Sequence, residues 1–507
     1  MNYSNIGILD LPAEILLIIL SKLKNIDVLY SLVGVHERLD RIVCDTIFTR
    51  SIDLATILSN NKNDSLINQI LIRFCLDILP RIHQNIECLT LEPLFMGCIL
   101  RISNYPNLHK LNIVKLDIDK ALAYFSDESP FVQIFKEKIS HLVITITDDT
   151  DSVSLLDLVK IVYAKIFALF TSLTHLEFGT YNTSQHRPLV LIFDDCLCLL
   201  NGRLYQMKTF IVTVDHFLPV MSNNINYTKG LHNLKCFSLM SRSEIFTYDN
   251  QIVPLLRQMT QLEKLTLSLN VYQRTTFIEG THLNKEILSH MSHLNTFIFD
   301  IVTHIVINDD VNQKTIVNIQ STFVQDIDGY IDYYPNTKHR CHIYSLPFTI
   351  EYLHHITNNF PGGIFISVRT LSIFDDILPF EHEFFKRISH SFPLLNSLTV
   401  INSQQQNEKQ TRQLYNNEKL FSIIKFPHIF QLNLEYAHID YVEQFLFDTN
   451  TYLPCLDQLQ IQFEHLYIIT ENFTSNSTRA VCSKIKRIDF SETVVQSKDF
   501  YLYFPLL

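Results

Sequence analysis

Hydrophobic residues first crowd together at Ile15-Leu16-Leu17-Ile18-Ile19-Leu20. Pro12, whose missing N–H costs nothing at the first helical position, and Asp10, a plausible N-cap, predict that a helix starts just before this run. At about 3.6 residues per turn such a helix has no polar face. A small domain buries one side of it, and the other side needs a partner, either the rest of the chain or another protein. Asn25-Ile26-Asp27 reads as a break with capping chemistry, and Val28, Leu29, Leu32 and Val33 give a second short apolar stripe. Gly34 interrupts again. Val35, Leu39, Ile42, Val43 and Phe48 continue at helical spacing, with Glu37, Arg38, Asp40 and Arg41 on the wet side. Three short helices in about forty residues make too little core to stand alone.

From about residue 86 a different pattern recurs: an apolar residue, often Pro, Ser or Thr, any residue, then Leu-x-x-Leu-x-Leu with mostly polar residues between. Clear copies run over 105–113, 170–178, 231–239, 259–267, 291–299, 392–400, 426–434 and 453–461, and weaker ones centre on Leu89, Leu142, Phe210, Leu371 and Ile488. Their spacing is mostly 27 to 34 residues, counted from the first Leu position. The intervals read as helices: 152–169, with Leu155, Leu158, Val159, Val162, Ile166 and Leu169; 381–391, with Phe384, Phe385 and Ile388; and 440–447, with Val442, Phe445 and Leu446. Each helix runs into a turn that stops it, since the residue before Pro avoids helical geometry. The unit is helix, turn, short strand. It cannot bury its own apolar face and must stack on copies of itself. The segment 301–346 breaks the period; Ile305-Val306-Ile307, Ile316-Val317-Asn318-Ile319 and Tyr330 to Tyr334 alternate like strands, as an insertion or as worn repeats.

Composition narrows the function. In 507 residues, 47% hydrophobic and 18% charged content excludes general disorder, and a net charge of −11 argues against nucleic acid and anionic membranes as partners. The apolar run at 15–20 is flanked by Asp10 and Glu14 rather than by a basic leader, and no run reaches the roughly 18–20 residues of a membrane span. The ten cysteines form no Cys-x-x-Cys, and Cys88, Cys236 and Cys455 sit in apolar patterns, so reduced, buried thiols are expected. These features together point to an intracellular protein, cytoplasmic or nuclear.

Catalytic chemistry finds little footing. Ten glycines leave no phosphate-cradling or dinucleotide loop, and there is no G-x-S-x-G. His382-Glu383-Phe384-Phe385 is followed by Lys386, so the second His of a zinc helix is missing. His339, Cys341, His342, His354 and His355 cluster in sequence, but neighbours on a strand point to opposite faces and rarely share an ion. The acidic clusters at 148–151, 194–195, 309–310 and 375–376 follow apolar runs, where capping and solvation explain them. No catalytic residue, metal or cofactor is expected, and the chain does not read as an enzyme.

The N-terminal segment, 8–50, resembles the F-box. It carries Leu-Pro-x-Glu at 11–14, Ile19-Leu20-Ser21 with Leu23, Asp27 opening the second helix, then Leu29, Leu32-Val33 and Val35. It departs at Leu39, where the family's third helix commonly has Trp; this chain has no Trp. The remainder, 51–507, looks like a degenerate leucine-rich-repeat solenoid of the long, helix-containing type, with Asn270 where the repeat's buried Asn belongs and other residues there in most copies. The expected fold is therefore α/β: a three-helix F-box, then a curved solenoid with parallel strands inside and helices outside.

The resemblance implies a substrate-recognition subunit of an SCF-type, cullin–RING E3 ubiquitin ligase, with the F-box on a Skp-type adaptor and the solenoid on a target protein. It assigns adaptor contact to Leu11, Pro12, Glu14, Ile15, Leu16, Ile19, Leu20, Leu23, Leu29, Leu32 and Val33. Target contact is expected at solvent positions of the strands: His109, Lys110, Asn112, Thr174, Glu177, Lys235, Glu263, Lys264, Arg369, Asn396, Gln431, Gln458 and Lys486. The alternative is a protein-binding repeat scaffold with no ubiquitin role, whose N-terminal helices merely cap the solenoid's apolar end.

Overall fold

The computed structural model describes residues 8–55, 64–100, 105–147, 161–162, 165–166, 168–180, 207–214, 233–306, 316–323, 327–333, 338–407, 422–490 and 497–507. They form a mixed α/β structure of mostly parallel strands alternating with helices. Contacts divide the chain into two units, residues 1–266 with 287–296 and residues 267–286 with 297–507.

The first unit opens with α1 (Ala13–Leu20), α2 (Asn25–Leu32), α3 (Glu37–Val43) and α4 (Thr46–Thr49). Its strands are β1 (Ser51–Asp53), β2 (Cys88–Leu91), β3 (Lys110–Asp117), β4 (His141–Thr147), β5 (His175–Thr180), β6 (Thr209–Val214) and β7 (Cys236–Ile245). Each pairs in parallel with the next. Register places Ile52, Leu89, Leu111, Leu142, Leu176, Phe210 and Phe237 in one column, and all are buried. A strand's alternation sends their neighbours to the opposite, open face.

The residue just before each strand repeats one backbone device. The Arg50 carbonyl accepts from the N–H groups of both Glu87 and Cys88, at 2.9 and 3.1 Å. The Glu87, His109, Ser140, Thr174, Lys208, Lys235 and Glu263 carbonyls do the same for the next strand, at 2.7 to 3.2 Å.

In the second unit, 267–274 of β8 (Lys264–Arg274) neighbour 297–306 of β9 (Thr296–Val306). β10 (Ile327–Tyr333) and β11 (Lys338–Ser345) then run antiparallel, in the order β9-β11-β10. A separate parallel sheet takes β12 (Tyr352–Ile356), β13 (Thr370–Phe374), β14 (Ser397–Ile401), β16 (Gln431–Asn433), β18 (Gln458–Gln460) and β19 (Arg487–Asp489); β15 (Ile424–Lys425) pairs with β17 (Thr451–Tyr452). Leu353, Leu371, Leu398, Leu432 and Leu459 form its buried column. The double-accepting carbonyls recur at Glu351, Arg369, Asn396, Phe430 and Asp457.

Helices His382–Ser391 and Ile439–Leu446 occupy the intervals the sequence marked for them. Of 152–169, residues 161–162, 165–166 and 168–169 are helical, with Val162 and Ile166 buried; the rest lies outside the described residues, as do the acidic clusters at 148–151, 194–195 and 309–310. Strand alternation is found at 305–306 and 330–333, but 316–319 is corrected: it belongs to a helix, Ile316–Gln320. Ile319 is buried there while Val317 is 66% exposed; two residues apart, the pair would share a face on a strand but lies on opposite sides of a helix. Gly280 makes room for the turn that follows. A Cβ there would lie 2.1 Å from the Thr322 carbonyl oxygen.

Two cysteine expectations are also corrected. Cys75 and Cys98 are joined by a disulfide. Cys455 is exposed, and Cys88 and Cys236 are only half-buried, because each falls outside the buried column.

A polar network fastens the antiparallel strands to β12. Asp332 accepts from Thr357 Oγ1 at 2.7 Å, Asn359 Nδ2 at 2.9 Å and Arg340 Nη1 at 3.4 Å. Arg340 Nη2 also donates to the His355 carbonyl. The Tyr330 hydroxyl lies 3.0 Å from His342 Nδ1, and His342 Nε2 lies 2.6 Å from Asp300 Oδ1. Burial pushes the Asp332 carboxyl above its ordinary range, against the pull of Arg340. Asp332→Ala would take from the buried Arg340 guanidinium the carboxylate that Nη1 donates to. The expected loss is about 3–5 kcal/mol by urea titration, and the double substitution Asp332→Leu with Arg340→Met should restore most of it.

Candidate protein-docking site

α1 begins differently from the sequence reading. Pro12 occupies the N-cap position, one residue outside the helix, and its carbonyl accepts from Ile15 and Leu16 N–H at 3.1 Å each. Asp10 lies in a preceding 3-10 turn, Ile8–Asp10, and no side chain caps α1. What fixes the approach to the helix is Arg38 of α3, whose guanidinium donates to the Leu9 carbonyl and, at 2.6 Å, to the Leu11 carbonyl. The break after α1 falls at 21–24, with Asn25 already inside α2.

The all-apolar helix is resolved into two faces. Leu16 and Leu20, one turn apart, are buried at 0% and 4% exposure. Ile15, Ile18 and Ile19 form a stripe at i, i+3 and i+4 and are 42%, 59% and 44% exposed; Leu23 follows at 55%. Of the residues assigned to the adaptor, Leu16, Leu20, Leu29 and Val33 are buried in this chain and offer a partner no surface. Leu11 and Leu32 are half-buried, while Pro12, Glu14, Ile15, Ile19 and Leu23 are open. Ile18, the most exposed of the helix's apolar side chains, was missed, although a helical wheel of α1 places it between Ile15 and Ile19. Leu39 is buried.

The helices are tied to the chain that follows them. Gly34, at φ 81°, turns α2 into α3, and its N–H donates to Asp40 Oδ1 at 2.6 Å. Asp40 Oδ2 accepts from Arg81 Nη1 at 3.0 Å. Arg73 Nη2 donates to the Val33 carbonyl at 3.0 Å, and its guanidinium lies 5.0 Å from the centre of the Tyr30 ring. Asn85 Nδ2 donates to the Cys44 carbonyl at 3.1 Å.

The target-contact residues divide in two. Lys110, Asn112, Glu177, Lys264, Gln431 and Gln458 lie on strands, at positions alternating with the buried column. His109, Thr174, Lys235, Glu263, Arg369, Asn396 and Lys486 are corrected: each sits one residue before its strand. In every one of these copies the first Leu position ends the turn, so the residue after it is not yet in the ladder. Several are already engaged: Lys235 with Glu263 at 2.5 Å, Lys486 with Asp457 at 3.3 Å, and Arg369 Nη1 with the Ile366 carbonyl at 2.8 Å.

A cleft of about 440 Å³ lies beyond the carboxyl ends of β13 and β14, lined in part by Asp375, Asn402, Tyr436, His438 and His465. Asp375 is committed to structure, accepting from Ile377 N, Leu378 N and both Asn358 donors at 2.9 to 3.3 Å. Burial, and then the nearby charge of His438, lowers His465. Asn270 is buried and engages side chains: Oδ1 lies 3.0 Å from His304 Nε2, and Nδ2 lies 3.4 Å from His355 Nε2. Among the described residues no three His, Cys, Asp or Glu side chains are grouped to hold a metal ion, and no helix is long and apolar enough to cross a membrane.

The two faces of α1 should separate experimentally. Leu16→Ala is expected to cost about 2–5 kcal/mol of stability, whereas Ile18→Ser should stay within about 0.5 kcal/mol, as read by urea denaturation of the full chain. No protein-family model matches this chain, and a search of the curated proteins finds no match for it.

Proposed function

We propose that the chain is the substrate-recognition subunit of an SCF-type E3 ubiquitin ligase, not itself an enzyme. In this reading 8–50 is an F-box that docks on a Skp-type adaptor. The repeats form a curved leucine-rich solenoid whose open strand faces hold a target protein. The receptor breaks no bond; it raises the local concentration of target lysines near the ubiquitin-charged enzyme. The observation that carries the reading is the open stripe of Ile15, Ile18 and Ile19 with Leu23, beside the exposed Pro12 and Glu14 of Leu-Pro-x-Glu. Burying each of those apolar side chains contributes roughly 1.5–3 kcal/mol.

A second reading is favoured by the fastening of the N-terminal helices through Arg73, Arg81 and Asn85. It makes them a cap on a binding scaffold with no ubiquitin role. Purified Skp-type adaptor distinguishes the two. The full chain is expected to form a stable complex with it on size exclusion. Ile15→Ser with Ile19→Ser, and separately Leu11→Ala with Pro12→Ala, should abolish that complex while the far-UV circular dichroism stays unchanged. A folded wild-type chain that never binds the adaptor would leave the scaffold reading.

A further inference from the structure

Along the first unit, the residues that precede and open successive strands change character partway. Arg50, before β1, pairs with Glu87, before β2, at 2.8 Å. Lys235, before β7, pairs with Glu263, before β8, at 2.5 Å. Between these neutralised pairs stand His109 before β3, Lys110, His141 and His175 as the first residues of β3, β4 and β5, and Lys208 before β6. The His141 and His175 rings stack with centroids 3.8 Å apart and planes at 10°, and His109 meets His141 edge-on at 5.8 Å. Ser140 Oγ lies 2.8 Å from His141 Nδ1, and Thr174 Oγ1 lies 2.8 Å from His175 Nδ1. The hydroxyls orient both rings through Nδ1 and leave Nε2 of each for a ligand.

The electrostatics of the cluster are one-sided. Burial, then His175, His109 and Lys110, holds His141 down at about 4. Burial, then Lys208 and Lys110, lowers His175. On the same open face β5 also carries Glu177, two residues beyond His175, while β3 carries Asn112 and β4 carries Val143. Two imidazoles stacked this closely do not both charge without a counter-ion.

We propose that Lys110, His141, His175 and Lys208 dock an acidic segment of a partner polypeptide, its carboxylate or phosphate oxygens meeting the two imidazoles between the lysines. This deepens, and rests on, the reading of the open strand face as the target surface. Three strand spacings separate β3 from β6, about 14 Å, which an extended peptide covers in about four residues. The cationic run stops at a neutralised pair on either side, and the chain carries a net charge of −11, so the site fits a short acidic peptide rather than the long basic track a nucleic acid requires. Bound anionic oxygens favour the imidazolium and raise the ring pKa values in the complex. Both rings are lowered in the free protein, so docking takes up protons and affinity rises as pH falls from about 7.5 to about 5.5.

The test uses the full chain and fluorescein-labelled Gly-Ser peptides carrying four consecutive aspartates, one phosphoserine, or neither, together with an oligothymidine, read by fluorescence anisotropy. At least one acidic peptide is expected to bind, tenfold or more tighter at the lower pH, and to be released by salt at about 0.3 M. Lys110→Gln with Lys208→Gln should weaken it at least tenfold. His141→Gln with His175→Gln should remove the pH dependence, and circular dichroism checks that both variants stay folded. Tighter binding of the aspartate or of the phosphoserine peptide tells which source of oxygen is read. The proposal is overturned if neither acidic peptide binds, if the lysine variant binds as the wild type does, if affinity ignores pH, or if the oligothymidine binds more tightly than both. No adaptor enters the assay, so an adaptor complex without peptide binding overturns this inference alone.

Discussion

The long parallel ladder of each unit depends on one backbone device, a carbonyl that accepts two hydrogen bonds. In both units the residue just before a strand receives the N–H groups of two successive residues of the next copy. A carbonyl has two lone pairs, so both donors are satisfied where a turn would otherwise leave one orphaned. The device also fixes register. A slip of one residue would carry Leu111 or Leu398 from the buried column to the open face. Because the two ladder donors are backbone N–H groups, the device requires no particular side chain at that position. Ser140, Lys208, Phe430 and Asp457 all occupy it. This is the physical reason the repeats can be so degenerate without losing their alignment.

The same device explains what was legible in the sequence. Burial imposes period-two alternation, so the column from Leu89 to Phe237 and the column from Leu371 to Leu459 could be read directly from the spacing of apolar residues, whereas Ile52 and Leu353, at the start of each column, carry no copy of the motif. The helices between them were legible wherever several apolar residues shared one face, as at Phe384, Phe385 and Ile388. The phase of the open face was not. Leu108, Leu234 and Leu262 are as deeply buried as the strand leucines but lie in the turn, so hydrophobicity alone cannot show that the ladder starts one residue later than the motif suggests. Nor could Leu-x-x-Leu-x-Leu reveal how the turns after the strands close. Asp375, Asn402 and Asn433 each accept a backbone N–H two residues on, in three different local sequences.

At the N-terminus, the sequence showed that α1 had one apolar side too many but not which side. The choice is made by residues far along the chain. Arg38 holds the carbonyls of Leu9 and Leu11, and the fastening through Arg73, Arg81 and Asn85 settles where α2 and α3 lie. Leu16 and Leu20 then turn inward, and Ile15, Ile18 and Ile19 are left in water. Resemblance to a motif transfers positions without faces, and Leu29 and Val33, which it assigns to the adaptor, are buried in this chain. The stretch at 301–346 shows the converse. Asp300, Tyr330, Asp332, Arg340 and His342 are scattered polar residues in sequence, and only the antiparallel pairing brings them into one buried network. Such a network adds little net stability over an apolar core, but it tolerates very few alternative arrangements.

A fold that aligns its strands through backbone atoms has no use for any particular charge on its open face. Neutral pairs such as Arg50 with Glu87 sit there at little cost. Stacked histidines between unneutralised lysines are different. Burial holds both away from their ordinary ionisation, helped by His175, His109 and Lys110 at His141 and by Lys208 and Lys110 at His175. Where local rules are broken without structural return, the compensation is sought in function. The cluster at Lys110, His141, His175 and Lys208 therefore carries more information about a partner than the longer roll of polar residues around it, which the fold leaves free to vary.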